Sequence, residues 1–381
     1  MKRADNIFTR ERSNGTFEAR ITIDGKQYSR YGKTALEAKK KIKLILAEAE
    51  KGNVIVKTVK LNVALKDYLE NIKKNKVKAT TYDRAESIFK HHIHNESLGR
   101  RQVGLINTKD IQSLLDDKAS QQGFSHSTVK KIHDLFGEFF RYMKAIGEIN
   151  LNPMELVEMP HSSKFTHRSK KMQNLTVEQL KSVITEAEKT DCNGQPVYRY
   201  GEAIILLLNT GIRSGELRGI RKEDIDADRK ILHINRNVAY AKDREKGGIK
   251  WLIGEVKTEN SKRDIPLNSR ALQAIKHLLQ TTYNTETDYL ICTNAGAIVT
   301  NSPLQKCYTA ILKEAGISHM GLHSTRHTFA TVILKEAEDK GQIKEVSELL
   351  GHSQVTTTYK YYINTSNEDK RNLVDQLNLL V

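Results

Sequence analysis

Three patterns of apolar and polar positions follow one another along the chain. In NGTFEARITIDGKQYSRYG, Phe17, Ala19, Ile21 and Ile23 alternate with polar residues, and Asn14-Gly15 and Asp24-Gly25 supply turns on either side. A period of two with such turns predicts a small three-stranded antiparallel sheet. Thr34 and Glu37 then set a capping-box pattern ahead of a helix in TALEAKKKIKLILAEAE. From about residue 62 to 160 the period becomes helical throughout. In STVKKIHDLFGEFFRYMKAIG, Val129, Ile132, Phe136, Phe139, Met143 and Ile146 share one face, with Ser127 as the expected N-cap and Gly147 as the terminator. Further helices are expected at 62–74, 80–94 and 108–119.

The polar, basic stretch HSSKFTHRSKKMQ, residues 161–173, reads as a linker. It suits either an extended strap along a phosphate backbone or a plain exposed tether. Thr176 and Gln179 then cap a helix in LTVEQLKSVITEAEK. The third region mixes helices with a hairpin pattern running from KILHINRNVAYA through IKWLIGEVKT to the apolar end of RDIPL.

Charge narrows the class of partner. Lys plus Arg number 62 against 46 Asp plus Glu in 381 residues, a formal charge of +16. Residues 1–60 hold 15 basic and 7 acidic side chains, so half of that excess lies in less than a sixth of the chain. This balance points to a polyanion, nucleic acid or an acidic membrane surface, and the β-patterned basic segment favours a small DNA-binding module. No apolar run approaches a membrane span and no signal-peptide core is seen at the start, so a cytoplasmic nucleic-acid binder is expected. Cys192, Cys292 and Cys307 are scattered and odd in number, which argues against a disulfide framework or a cysteine zinc site. Thirteen histidines include His323 and His327, but without the HExxH pattern; no metal and no cofactor are expected.

Four stretches of the third region carry candidate chemistry. LLLNTGIRSGELRGI places Arg213 after Gly211 with Glu216 one turn on, and GEVKTENSKRDIPL places Lys257 beside the hairpin. GLHSTRHTFAT sets His323 and Arg326 three apart, and LLGHSQVTTTYKYYIN holds His352 with Tyr359, Tyr361 and Tyr362. Singly, each has a structural reading of equal weight. Arg213 suits a salt bridge to Glu216, Lys257 a solvated hairpin, His323 the core, His352 a position after a Gly351 C-cap, and the tyrosines aromatic packing.

In the order Arg, Lys, His-x-x-Arg, His, Tyr, these boxes resemble the active site of the tyrosine recombinase (phage integrase) family. The resemblance covers the whole chain and implies a multidomain α+β fold. Residues 1–57 look like an arm-type DNA-binding domain and 58–160 like a helical core-binding, SAM-like domain. Residues 161–173 would link these to a mostly helical catalytic domain at 174–381, with a small antiparallel sheet and a C-terminal tail helix. It further implies cutting and rejoining of DNA through a 3′-phosphotyrosine, for integration and excision of a mobile element. Arg213 and Arg326 would grip the phosphate, Lys257 would protonate the leaving oxygen, and His323 and His352 would assist. The context VKT…RDIPL selects Lys257 over Lys250 and Lys262. Tyr361 lies nine residues after His352 and Tyr362 ten. Tyr362 is the expected nucleophile because Tyr-Ile-Asn resembles the Tyr-x-His ending of conjugative-element integrases, with Asn364 a departure; Tyr361 is the alternative. Implied partners are double-stranded DNA at core and arm sites, three further copies in a homo-tetramer, a host bending protein and an excisionase. Leu373, Leu377 and Leu380 give the tail an apolar stripe for a neighbouring protomer or for its own domain. A relaxing topoisomerase, a chromosome-dimer resolvase and a non-catalytic DNA-binding protein are the competing functions.

Overall fold

Phe17, Ala19 and Ile21 turn to the same side of a strand and meet Ala38, Ile42 and Ile45 of the helix that follows, forming a small core. The computed structural model describes residues 7–13, 15–23, 26–50, 59–166, 174–255, 262–281, 287–338, 342–351 and 356. The Asp24-Gly25 turn, Lys257, His352, all three tyrosines from Tyr359 to Tyr362 and the leucine stripe of the tail lie outside these residues. The chain separates into two compact units, residues 1–169 and 170–381.

In the first unit, β1 (Phe8–Glu11), β2 (Phe17–Ile23) and β3 (Lys26–Gly32) pair antiparallel in the order β1-β2-β3, followed by α1 (Ala35–Glu50). The cap of α1 differs from the expected box in one bond. Thr34 Oγ1 accepts from the Glu37 N–H at 3.2 Å, but the Glu37 carboxylate accepts from the Lys33 N–H at 2.9 Å rather than from Thr34. On the face of β2 away from α1, Glu18 is 1% exposed and collects the side chains of Arg10, Arg12, Arg20 and Tyr31.

A second core in this unit is built by helices alone. They are α2 (Leu61–Asp67), a π-helical turn at Tyr68–Lys73 leading into α3 (Lys74–Lys76), α4 (Ala79–His92), α5 (Thr108–Ser120) and α6 (His126–Ala145). Val129, Ile132, Phe136, Phe139 and Met143 are buried on α6 as their spacing predicts. Two expectations need correction. Ser125, not Ser127, caps α6, because its Oγ reaches the Thr128 N–H at 3.3 Å. Ile146 is the C-cap residue, off the helical register, and is exposed. The first part of the expected strap is also not extended. Ser162–Lys164 form a 3₁₀ turn, Lys164 pairs with Asp116 at 2.8 Å, and Phe165 packs against His126.

The second unit is organised around α8 (Gly201–Thr210), preceded by α7 (Val177–Ala187). GEAIILLLNT is apolar on nearly every side, so α8 is enclosed rather than amphipathic. α7 starts at the predicted capping box, with Thr176 and Gln179 bonded reciprocally. A four-residue helix α9 (Ser214–Leu217) follows, then β4 (Ile225–Asp226), β5 (Ile231–Ile234), β6 (Arg236–Lys242), β7 (Ile249–Glu255) and β8 (Arg263–Pro266). The hairpin pattern resolves into two sheets: β4-β5-β8, and a separate β6-β7 ribbon. α10 (Ser269–Thr281), α11 (Asn301–Glu314), α12 (Ser324–Glu338) and α13 (Ile343–Leu350) complete the described part. Among the described residues, no helix is long and apolar enough to cross a membrane.

Candidate active site

The second unit brings Arg213, His323 and Arg326 together. α8 ends at Gly211, whose φ of 62° is the left-handed conformation that favours glycine. The chain then passes through Ile212, anchored in the core, to Arg213, which begins α9. At the start of α12, the His323 carbonyl accepts from the His327 N–H at 3.3 Å, and Arg326 follows within the first turn. Arg326 is 1% exposed, and its Nη1 donates to the Gly211 carbonyl at 2.8 Å. Its Nη2 donates to the Leu350 carbonyl at the end of α13. Arg213 stands further out, its side chain 38% exposed. It is positioned to meet solvent or ligand.

Glu216 fixes that arginine. Its Oε1 accepts from Arg213 Nη1 at 2.8 Å and from Arg263 Nη1 at 3.1 Å. Its Oε2 accepts from the Arg213 backbone N–H at 2.8 Å and from Arg263 Nη2 at 2.9 Å. Two oxygens taking four donors fill a carboxylate's capacity. Burial alone would raise the pKa of this group, yet the Arg263 guanidinium and the Arg213 donors bring it down to about 2. Glu216 is therefore a fixed anion that aims a cation, not a proton acceptor.

The histidines respond to the same cations. Partial burial first, then the charges of Arg326 and Arg213, push the His323 imidazole below its ordinary value although one side of it meets solvent. His327 stacks edge-on against it, ring centres 4.5 Å apart, and is pushed down to about 4 by burial, His323 and Arg326. Both rings are neutral near pH 7. A neutral imidazole beside two guanidiniums offers an acceptor where a proton must leave an attacking group.

Sequence reading singled out Arg213, His323 and Arg326, and structure places them in one cluster. It missed Arg263, which lies within the quoted GEVKTENSKRDIPL. A signal was present: Arg263 shares its strand face with Ile265 and Leu267, both buried, and a charge in an apolar register marks an internal ion pair.

Residues 173–369 match the model of the phage integrase family, and residues 61–119 match that of the phage integrase N-terminal SAM-like domain. The tyrosine recombinase XerC-like protein of Caldanaerobacter subterraneus subsp. tengcongensis is 29% identical over 366 residues, covering 91% of this chain and 90% of its own. The tyrosine recombinase XerC of Oceanobacillus iheyensis is 26% identical over 275 residues, covering 72% of this chain and 81% of its own. Among solved structures, the Tn1549 transposon integrase in complex with a circular intermediate DNA aligns with a TM-score of 0.67 at 19% identity, covering 84% of this chain and 99% of that one. A lambda integrase dimer bound to a COC′ core site aligns with a TM-score of 0.56 at 19% identity, covering 95% and 96%. At these identities the structural likeness establishes the fold.

Proposed function

Because the chain belongs to the phage integrase family of tyrosine recombinases, and is thus a site-specific recombinase that cleaves and rejoins DNA, we propose that it integrates and excises a mobile element. The observation that carries this reading lies ahead of the catalytic unit. Residues 8–50 form their own sheet, helix and core, and the open face of the sheet holds three arginines and a tyrosine around Glu18. A second DNA-contacting module of this kind serves sites apart from the crossover. In this reading residues 1–57 bind arm sites, 58–160 are the core-binding domain, 174–381 carry out the catalysis, and 161–173 link them. Four copies act on two duplexes in the cytoplasm, with a host bending protein and an excisionase as further partners. The Tn1549 integrase and the lambda integrase dimer were solved on DNA, and a further lambda integrase structure is a tetramer bound to a Holliday junction, which supports the same picture.

The chemistry follows from the cluster. A tyrosine oxygen attacks the scissile phosphorus, and the bond from phosphorus to the 5′-oxygen breaks. The phosphate stays on the protein as a 3′-phosphotyrosine, so the bond energy is retained for rejoining. The phenol has a free pKa of about 10 and must give up its proton; in this reading neutral His323 assists that transfer. Lys257 supplies a proton to the leaving 5′-oxygen. Arg213 and Arg326, with His352, hold the charge that develops on the non-bridging oxygens. Tyr362 is the nucleophile we favour and Tyr361 its alternative.

A chromosome-dimer resolvase is the second reading, favoured by one observation: the XerC-like relative covers 91% of this chain. A nicked duplex carrying direct repeats, sought by sequencing the DNA on either side of the gene, distinguishes the two. Integrase action requires an SDS-stable adduct on those repeats, absent from Tyr362→Phe. Adduct on chromosomal resolution sites alone would establish the resolvase, and adduct lost only in Tyr361→Phe would move the nucleophile by one residue.

A further inference from the structure

The last carbonyls of a helix have no donors within it and need partners from elsewhere. At the end of α13 three consecutive carbonyls are each taken by a different arginine. Leu349 O accepts from Arg263 Nε at 2.7 Å, Leu350 O from Arg326 Nη2, and Gly351 O from Arg213 Nη2 at 3.1 Å. Two of these arginines belong to the proposed phosphate site. The third, Arg263, comes from β8 and is 7% exposed.

Arg263 is where two parts of the site meet. Its Nε holds the end of α13, while its Nη1 and Nη2 hold the carboxylate that aims Arg213. We infer that Arg263 is a positioning residue for strand cleavage. It sets the end of α13, from which the chain runs on to His352 and the tyrosines, and it holds Glu216 so that the Arg213 guanidinium keeps its place. The inference rests on the reading of Arg213 as a phosphate ligand. A planar guanidinium supplies donors toward two acceptor groups at once; an ammonium is a point charge that cannot span them in this fork. Gly351 is shaped to the same contact. A Cβ there would stand 3.0 Å from Arg263 Nη1, and its φ is 63°. The residue that ends α13 is thus cleared for this guanidinium as well as for the turn.

The test uses the full chain, with Arg263→Lys and Arg263→Ala, and the nicked duplex bearing the flanking direct repeats. Single-turnover adduct formation should fall on the order of 100-fold in both variants, the scale of a small misplacement at a reacting centre. Duplex affinity should stay within about threefold, since phosphate contacts are spread over the whole interface. Methylguanidinium should restore part of the rate to Arg263→Ala and none to Arg263→Lys. Amides of residues 346–351 should exchange faster in both variants, with those of α8 and α10 unchanged. Adduct formation at the wild-type rate with unchanged exchange would overturn the inference. So would a loss of affinity and melting temperature in step with the rate, because that is a purely structural role. Wild-type protein that forms no adduct would sink the phosphotyrosine reading instead, and exchange at 346–351 would then judge the clamp alone.

Discussion

The ring of Phe329 on α12 lies against Gly211 at the end of α8, so close that a Cβ on Gly211 would come within 2.2 Å of Cδ1. The same glycine gives its carbonyl to Arg326. Substitution to alanine therefore meets two obstacles, a left-handed φ that costs about 1–2 kcal/mol and a ring that must move. We expect Gly211→Ala to lose at least about 2 kcal/mol in urea unfolding and to lose adduct formation with it. Stability within about 0.5 kcal/mol of wild type would show that Phe329 withdraws freely.

Glu216 makes acid stability a test of the arginine bridge. Its pKa falls from 4.5 to about 2 on folding, so its contribution is complete above pH 4.5 and is lost as pH drops toward 2. Glu216→Gln keeps the shape but leaves Arg263 buried beside a neutral amide. We expect a loss of roughly 3 kcal/mol at pH 7, typical of removing one partner from a buried pair. The gap to wild type should narrow steadily below pH 4.5, because only wild type loses stability there. A gap that stays constant from pH 6 to pH 3 would contradict an ionised Glu216.

How far the site was legible in sequence depends on the kind of cue. Gly211 and Arg213 stood out because a C-cap glycine followed by a charge is a local pattern, and Thr176 with Gln179 announced α7 for the same reason. The buried face of α6 was legible because its period is long and regular. The apolar register of Arg263 announced an internal ion pair but not its partners, since Glu216 and Leu349 lie 47 and 86 residues away and no local rule joins them. The split of the hairpin pattern into β4-β5-β8 and β6-β7 was hidden for a related reason. Alternation predicts strands but not which strand pairs with which.

The two histidines give a titration that reads the cation cluster directly. In the DNA-free chain, imidazole resonances followed by NMR should place His327 near pH 4 and His323 below its ordinary value of 6.5. Protonation of either ring is opposed in the folded state, so stability attributable to them falls as pH drops below about 6.5. Arg213→Gln removes one of the charges acting on His323 and should move its midpoint upward. An unmoved midpoint would mean that Arg213 and His323 do not share a site.

Glu18 sits at the centre of the proposed arm-site face. Hydrogen bonds from Arg20 and Arg10 hold its carboxyl well below the usual carboxylate range, so it is ionised near neutral pH. In register, Arg10 stands opposite Glu18 on β1 and Tyr31 opposite it on β3, while the Arg12 guanidinium lies 4.9 Å from the Tyr31 ring centre. Like charges brought this close would otherwise splay apart, and base edges in a groove are read only by donors held in fixed places. Glu18→Gln adds one unit of positive charge, so attraction to DNA of any sequence should hold or rise. Selectivity should fall, by about 10-fold, measured as affinity for a duplex selected from a random pool by the wild-type chain against a scrambled duplex at the same salt. Removal of residues 1–57 should abolish that selectivity and spare adduct formation on core sites. Glu18→Gln with an undiminished ratio would show that the carboxylate does not order the arginines for recognition, and a truncated chain that keeps the ratio would place arm-site binding elsewhere.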